Sequence, residues 1–299
     1  MTGLHQLQIA DVQRLTKDAV AISFAIPNTL QDVFSFSAGQ YLTMSHTING
    51  TEVRRSYSLC SAPHEGLLRV GIKAIPNGVF SNYANTELQK GDTLNIGTPE
   101  GRFVFTPDGS KNILLLAAGS GITPMLSITK TALQETDGQV VLVYGNRSEE
   151  DSMFLDELAA LKEQYNERFS LISVYSRKKA TDALFGRIDK AHINYVRNTL
   201  FSQLHFDDFY VCGPSEMIEG SVQALSDSGV SDEKIHVEHF TGGGDIDRSS
   251  EGVVSYEVVL DDETHLFTAD AKETILEAAI NAGIDPPYSC QGGVCGSCI

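Results

Sequence analysis

Residues 112–125 read NILLLAAGSGITPM. A continuous apolar run stops at two glycines, and a helical pattern follows from Pro124 to Leu133. A run apolar on both faces suits a parallel strand covered by helices on each side, because a half-solvated antiparallel strand would alternate. Glycines allow a tight turn at the strand end. Proline fits a first helical turn, where its missing N–H costs nothing. A strand buried on both faces needs neighbours that alternate strand with helix. VVLVYGN, FSLISVYS, DDFYVCG and KIHVEHF read as strands, with MFLDELAALKEQY and EMIEGSVQALSDSG as helices between them. Residues 108–240 are expected to form a parallel α/β domain.

The flanks have other textures. Residues 1–107 contain QLQIADVQRL, AVAISFAIP, GQYLTMSHTI, VRRSYSLCS, LLRVGIKAI and DTLNIGTPEGRFVF, short segments rich in β-branched or aromatic residues. Turn signals such as Asn49-Gly50 and Gly91-Asp92 separate them. So many short strands predict a sandwich or closed barrel, with a short helix around Phe80–Leu88. TGGGDIDRSSEG, residues 241–252, is glycine-rich and polar and reads as a flexible linker. VVSYEVVL, a turn at Asp261-Asp262, HLFTADA and a helical KETILEAAINAG then open a small third domain over residues 253–299. A length of 299 residues gives room for two domains and part of a third.

Lysine and arginine total 22, aspartate and glutamate 39, and the net charge is −17. Nucleic acid and anionic membrane surfaces both require a basic face, so neither is expected as a partner. The acidity favours solubility and steering toward a basic protein. The opening MTGLHQLQIADVQR is not a secretory signal. The apolar run at 113–119 is too short to span a bilayer. Five cysteines, three of them in one loop, do not make a secreted disulfide framework. A cytoplasmic protein with reduced thiols is expected.

Those three, Cys290, Cys295 and Cys298, stand in PPYSCQGGVCGSCI. The spacing C-x4-C-x2-C is that of plant-type [2Fe–2S] ferredoxins, whose fourth cysteine comes later in the chain. Gly292, Gly293 and Gly296 let backbone N–H groups approach the sulfurs. A zinc site would need further ligands, and no histidine follows His265. A redox-active Cys295-x-x-Cys298 pair would ordinarily open a helix.

Three further stretches carry candidate chemistry. Gly119–Pro124 ends a buried strand and opens a helix, where backbone N–H groups favour a phosphate. The alternative is an ordinary strand–helix turn. In RRSYSLCS, Arg55 can pair with a pyrophosphate. Tyr57 can offer a flat face to a flavin ring, and Ser58 a hydroxyl to a ring nitrogen. Gly78 and Ser81 in NGVFSNYA can add a phosphate contact. The alternative there is cross-strand packing and a solvated charge. In YVCGPSEM, Cys212 ends a strand, where ligands bind in open α/β sheets, or else is a buried small thiol.

In order, RxYS at Arg55–Ser58, GVFS at Gly78–Ser81, GSGITP at Gly119–Pro124 and CGP at Cys212–Pro214 resemble the ferredoxin-NADP reductase module, followed by a plant-type ferredoxin domain. The whole chain is similar to reductase subunits of ring-hydroxylating oxygenase systems. RRSYSLCS, AAGSGITPMLSI, VYGNRS, FGRID and the cysteine loop resemble most closely the subgroup serving phenylacetyl-CoA epoxidation. The resemblance implies an antiparallel flavin-binding β-barrel, a parallel α/β nucleotide-binding domain and a partial β-grasp ferredoxin domain. It implies that Arg55, Tyr57, Ser58 and Leu59 hold the flavin, and that Gly78, Val79, Phe80 and Ser81 hold its phosphates, which favours FAD. Gly119, Ser120, Gly121, Ile122, Thr123 and Pro124 would hold NAD(P)H. Cys212, Gly213 and Pro214 would lie beside the nicotinamide, with Glu238 and Phe240 near the flavin. Tyr57, Ser58, Cys212 and Glu238 would be the catalytic set, and Cys290, Cys295 and Cys298 the metal ligands. Arg147 and Arg177 follow two strands of the α/β domain, where a 2′-phosphate can dock, which leans toward NADPH; they also read as two exposed arginines.

The implied activity is electron transfer from NAD(P)H through FAD and a [2Fe–2S] centre to the oxygenase component of a multicomponent system acting on an aromatic acyl-CoA. The family's fourth cysteine is missing, and Cys60 and Cys212 belong to other domains. The expectation is that residues 1–299 are part of a longer protein or a truncated product, and that alone they hold no normal cluster. Three alternatives stay open. One is an NAD(P)H:acceptor flavin reductase working without the cluster, and another a reductase for a different aromatic-ring or Rieske oxygenase. The last is a non-enzymatic nucleotide-sensing module.

Overall fold

The computed structural model describes residues 3–240, 252–260, 263–284 and 286. The first part of the chain folds as six antiparallel strands: β1 (His5–Thr16), β2 (Ala19–Ala25), β3 (Tyr41–Ile48), β4 (Thr51–Ser58), β5 (Leu68–Lys73) and, after helix α1 (Val79–Thr86), β6 (Thr93–Ile96). Their order is β4-β3-β6-β1-β2-β5. The two outer strands meet through a bridge between Leu59 and Val70, reinforced by the Cys60 N–H donating to the Arg69 carbonyl at 2.9 Å. The sheet therefore closes into a barrel, which removes its exposed edges. Leu7, Ile9, Ile22, Leu42, Met44, Val70 and Phe80 fill its interior.

The sequence pattern extends β structure through DTLNIGTPEGRFVF, but the strand stops at Ile96. Pro99 cannot donate to a ladder, and Gly101 adopts φ +122°, which only glycine tolerates well. Phe103 and Phe105 nonetheless turn inward and are buried.

The second sheet is wholly parallel. Its strands are β7 (Ile113–Ala118), β8 (Val140–Asn146), β9 (Phe169–Tyr175), β10 (Ala183–Phe185), β11 (Asp208–Gly213) and β12 (Ile235–His239). They lie in the order β10-β9-β8-β7-β11-β12. Helices α2 (Ile122–Glu135), α3 (Leu155–Gln164), α4 (Lys190–Tyr195, continued by a π turn over Val196–Leu200) and α5 (Ser215–Asp227) form the connections. The sequence reading anticipated neither β10 nor α4. Three paired residues are too few to show a period. Chain growth runs outward from β7 to β10, then returns to β11 on the other side of β7. Ligands of open α/β sheets bind where the order reverses in this way.

The barrel and the parallel sheet share one apolar core. Ala19, Ala21, Ala38 and Cys60 of the barrel pack with Ile122, Met125, Met153, Phe154 and Tyr210. A separate hairpin, β13 (Val253–Leu260) with β14 (Glu263–Asp270), precedes helix α6 (Ile275–Asn281). Thr274 caps that helix, accepting from the Glu277 N–H at 3.1 Å while the Glu277 carboxylate accepts from the Thr274 N–H at 2.8 Å. The expected linker, residue 252 excepted, and the expected ligands Cys290, Cys295 and Cys298 lie outside the described residues. No helix among the described residues is long and apolar enough to cross a membrane.

Candidate functional site

The reversal between β7 and β11 brings two sequence motifs together. Gly119–Gly121 forms a 3-10 turn at the end of β7 and leads directly into α2. Gly119 has φ +57°, and nothing stands within 4 Å of where its Cβ would lie, so that side of the turn is open. Gly121 faces the other way. A Cβ there would sit 2.2 Å from the Cys212 carbonyl oxygen, so glycine is required for the turn to pack onto the end of β11. Thr123 Oγ1 donates to the Ser120 carbonyl at 3.0 Å. Ile122, Thr123 and Pro124 are buried, leaving the backbone of this turn as the surface a ligand can meet. The first N–H groups of a helix lack intrahelical partners and favour an anion.

On the other side of the switch point, Gly213 and Pro214 lead into α5. A Cβ at Gly213 would meet Met217 Cε at 2.8 Å and Ala118 Cβ at 3.2 Å. The Cys212 side chain is fully enclosed. Burial pushes its thiol well above the ordinary range, and the charge of Glu238 adds to the effect. Glu238 is its register partner on β12. Cys212 is therefore a neutral thiol held behind the glycine turn, not an exposed nucleophile. Phe240 follows β12 and is exposed.

Arg147 and Arg177 follow β8 and β9 and are both exposed. The Arg177 N–H donates to the Arg147 carbonyl at 2.9 Å. The parallel ladder fixes the order across this edge as Arg177, Arg147, Gly119, Cys212, Glu238. Strands sit about 4.8 Å apart, so the arginines lie roughly 5–10 Å from the glycine turn, within the reach of one dinucleotide.

The flavin-side candidates gather on β4 and α1. Arg55 is exposed, Tyr57 is half-buried, and Ser58 and Leu59 are buried. Tyr57 lies against Phe80 with ring centroids 5.6 Å apart, which joins the two motifs. Burial holds the Tyr57 phenol protonated, with Arg55 pulling the other way. Gly78 caps α1, and its missing Cβ would have met Ser81 Oγ at 2.4 Å. Val79 is exposed, while Phe80 and Ser81 face inward. Leu59 and Phe80 can therefore meet a ligand only through their backbones. An arginine, a half-buried phenol ring and a helix start that no side chain caps suit a planar ring bearing a diphosphate.

These two half-sites touch. At Gly71 of β5, a Cβ would lie 2.7 Å from Thr123 Cγ2 and 3.0 Å from the Phe154 ring. The barrel wall thus reaches the start of the nucleotide helix only because that position carries no side chain.

Some supporting residues carried no motif. The buried Tyr144 hydroxyl donates to the Gly119 carbonyl at 3.2 Å and accepts from the Met153 N–H at 3.1 Å. Its one sequence signal is a polar-tipped aromatic ending an apolar strand. Lys130 is only 7% exposed and lies among Glu65, Glu157 and Arg69. Nothing local in the sequence marks that cluster.

Comparison with known proteins agrees with this arrangement. Residues 6–105 match the oxidoreductase FAD-binding domain, 115–223 the oxidoreductase NAD-binding domain, and 258–299 the 2Fe-2S iron-sulfur cluster binding domain. One component of the 1,2-phenylacetyl-CoA epoxidase of Escherichia coli (strain K12) is 40% identical over 308 aligned positions, spanning 100% of this chain and 86% of that one. The ferredoxin reductase component of 3-ketosteroid-9-alpha-monooxygenase from Rhodococcus rhodochrous is 34% identical, spanning 98% and 84%. Among solved structures, phthalate dioxygenase reductase shares the fold with a TM-score of 0.71 at 24% identity, covering 99% of this chain and 85% of that one. The chain belongs to the ferredoxin-reductase-like family of oxygenase reductase components, NAD(P)H-dependent oxidoreductases that carry electrons from a pyridine nucleotide through FAD to a [2Fe–2S] centre.

Proposed function

We propose that this protein oxidises NADPH to supply electrons singly to the oxygenase component of a multicomponent system, in the cytoplasm, and that this partner acts on phenylacetyl-CoA. The observation that carries the nucleotide half is the strand-order reversal at β7 and β11. There Gly121 packs against the Cys212 carbonyl and the Gly119 face stays open. The phenylacetyl-CoA assignment is supported by the 40% identity to the Escherichia coli epoxidase component, and a net charge of −17 suits docking on a basic protein face.

FAD supplies the conversion between paired and single electrons, and the chain supplies position and electrostatics. In this reading residues 1–107 hold FAD, 108–240 hold the nucleotide, and 253–299 supply Cys290, Cys295 and Cys298 as three of the ligands of the iron–sulfur centre. Arg55 pairs with the FAD pyrophosphate, and the segment Gly78–Ser81 receives its phosphates through the N–H groups that follow Gly78, whose own N–H donates to the Ile75 carbonyl at 3.0 Å. Tyr57 offers its ring as a flat wall, and Ser58 orients the flavin edge. The turn Gly119–Pro124 receives the nucleotide pyrophosphate, with Arg147 and Arg177 at the 2′-phosphate. Cys212 closes the space beside the nicotinamide as a neutral, water-excluding group, with Glu238 and Phe240 bordering the flavin.

An anaerobic visible spectrum before and after NADPH tests the reading. A flavin spectrum that bleaches on addition is expected. No flavin at all would remove the assignment of residues 54–81, and an unbleached flavin would remove that of 119–124. With the bleached enzyme, reduction of cytochrome c relative to ferricyanide separates one-electron delivery through the cluster from a flavin reductase acting alone.

A further inference from the structure

The barrel and the nucleotide domain meet over an apolar surface where Ala19, Ala21 and Gly71 face Met125, Met153 and Phe154. Such a surface gives cohesion but little register, because apolar contact is non-directional. Directional contacts cross it at its rim, where Asp151 pairs with the exposed Lys17 at 3.2 Å and its carbonyl accepts from Lys73 at 3.3 Å, and at an enclosed cluster around Lys130. Lys130 of α2 has its Nζ 2.9 and 3.1 Å from the two carboxylate oxygens of Glu65. Lys130 also pairs with Glu157 of α3. Arg69 of β5 contacts Glu157 at 3.0 Å and donates to Gln13 at 2.6 Å. Its guanidinium lies 5.2 Å over the Phe154 ring. Two cations and two carboxylates balance across the boundary.

The cluster is tied to both half-sites by short paths. Glu65 Oε2 also accepts from the Ala62 N–H at 2.6 Å, which fixes the turn that follows β4. Within that turn the Ser61 carbonyl accepts from Ser127 Oγ of α2 at 2.6 Å. Ser127 and Lys130 are one helical turn apart and share a face. Two residues therefore separate Ser61 from the flavin-side strand. Two turns of one continuous helix separate Lys130 from Thr123.

We propose that Lys130, held by Glu65 and Glu157, is a positioning residue that sets the distance between the flavin strand β4 and the nucleotide turn at the start of α2. This rests on the functional reading of those two half-sites. Enclosed, hydrogen-bonded charges accept only one arrangement. Transfer between two bound groups needs them in near-contact, and a displacement of about 1 Å costs on the order of a hundredfold in rate. The clamp adds, on the helix that opens at the nucleotide turn, a register that apolar contact alone does not give.

The test compares the intact protein with Lys130→Met, Glu65→Gln, the double variant and Lys130→Arg. In each, the limiting rate of flavin reduction and the NADPH dissociation constant come from stopped-flow spectra, and FAD content from absorbance. Hydrogen exchange over residues 60–67 and 122–130 is read without nucleotide. In Lys130→Met, unchanged FAD content, a dissociation constant within about threefold and a limiting rate at least about tenfold lower are expected, with faster exchange in 60–67. Glu65→Gln should act in the same direction, the double variant should be no worse than the worse single variant, and Lys130→Arg should recover most of the rate. A lowered melting temperature with a limiting rate within about twofold of wild type would overturn the proposal, showing that the cluster only stabilises. If Lys130→Met fails to fold, the same criteria apply to Glu65→Gln. A wild-type flavin that NADPH does not reduce would overturn the functional reading itself and the clamp with it. Failure confined to the variants' rates strikes the clamp alone.

Discussion

The backbone N–H of Arg177 donates to the carbonyl of Arg147 at 2.9 Å, so the arginines that follow two neighbouring parallel strands start from one fixed point. Their side chains are exposed. They leave the sheet at its carboxyl edge, one and two strands from the Gly119 turn.

If these arginines receive a 2′-phosphate, Arg177→Ala should raise the Michaelis constant for NADPH roughly tenfold and leave that for NADH within about twofold. A charge-assisted hydrogen bond contributes about 1.5–3 kcal/mol, and the exposure here argues for the lower end. Steady-state kinetics with both nucleotides decides it. Equal changes would return Arg177 to the status of a solvated surface charge.

Tyr144→Phe isolates the support beneath the turn. The hydroxyl bridges the Gly119 carbonyl, which is half-buried, and the Met153 N–H, which is buried. Its loss leaves the buried Met153 N–H without this partner, at about 1–3 kcal/mol, while the Gly119 carbonyl still accepts from the Ile122 N–H. Weaker NADPH binding with unchanged FAD content is the expected result, measured by titration of the flavin spectrum. Equal loss of FAD and NADPH binding would mean that the hydroxyl supports the whole fold rather than this turn.

Cys60 gives a pH dependence with a definite sign. Its thiol is fully buried, and burial pushes it up from 9.0 to about 12. Below pH 9 the folded and unfolded chains both keep the proton. Between the two values only the unfolded chain releases it, so stability falls as pH rises through that window. At pH 10 the loss from this thiol is about 1 kcal/mol. Denaturant unfolding at pH 8 and pH 10 should show a decline that is shallower by about that amount in Cys60→Ala. Parallel declines in the two proteins would count against the buried thiol.

What the sequence made legible follows from how local each signal is. The Gly119–Pro124 turn, Arg55–Ser58 and Cys212–Pro214 each sit at a strand end, where residue type and spacing carry the geometry. The buried run in β7 announces a parallel sheet because a strand covered on both faces must be apolar throughout. Closure of the sheet through Leu59 and Val70, rather than a sandwich, depends on which strands pair in three dimensions, which no local pattern encodes. The Glu65–Lys130–Glu157 cluster is hidden for the same reason. In sequence, Lys130 reads as an ordinary polar residue late in an amphipathic helix, and only the docking of barrel on helix encloses it. Cys212 was legible as a strand-end thiol, but its complete enclosure came only from packing against the glycine turn.

The two glycines of that turn should respond oppositely to the same substitution. Gly119 has φ +57° with open space around its Cβ position, so Gly119→Ala meets only backbone strain of about 1–2 kcal/mol. Gly121 has an ordinary φ of −59°. An added Cβ there would lie 2.2 Å from the Cys212 oxygen, 2.6 Å from its carbon and 3.0 Å from the Gly213 nitrogen. All three are backbone atoms at the end of β11, which is paired on both sides by β7 and β12, so none can step aside as a side-chain tip would. Gly121→Ala must therefore push the turn off β11 or bend the end of β11. Either displacement moves the N–H groups that the proposed function assigns to the nucleotide. Loss of NADPH-dependent flavin bleaching with FAD retained is expected for Gly121→Ala, and a reduction rate within about tenfold of wild type for Gly119→Ala. Anaerobic stopped-flow spectra of the two variants make the comparison. If the order is reversed, the close packing of Gly121 on Cys212 does not shape the nucleotide site, and the strain at Gly119 does.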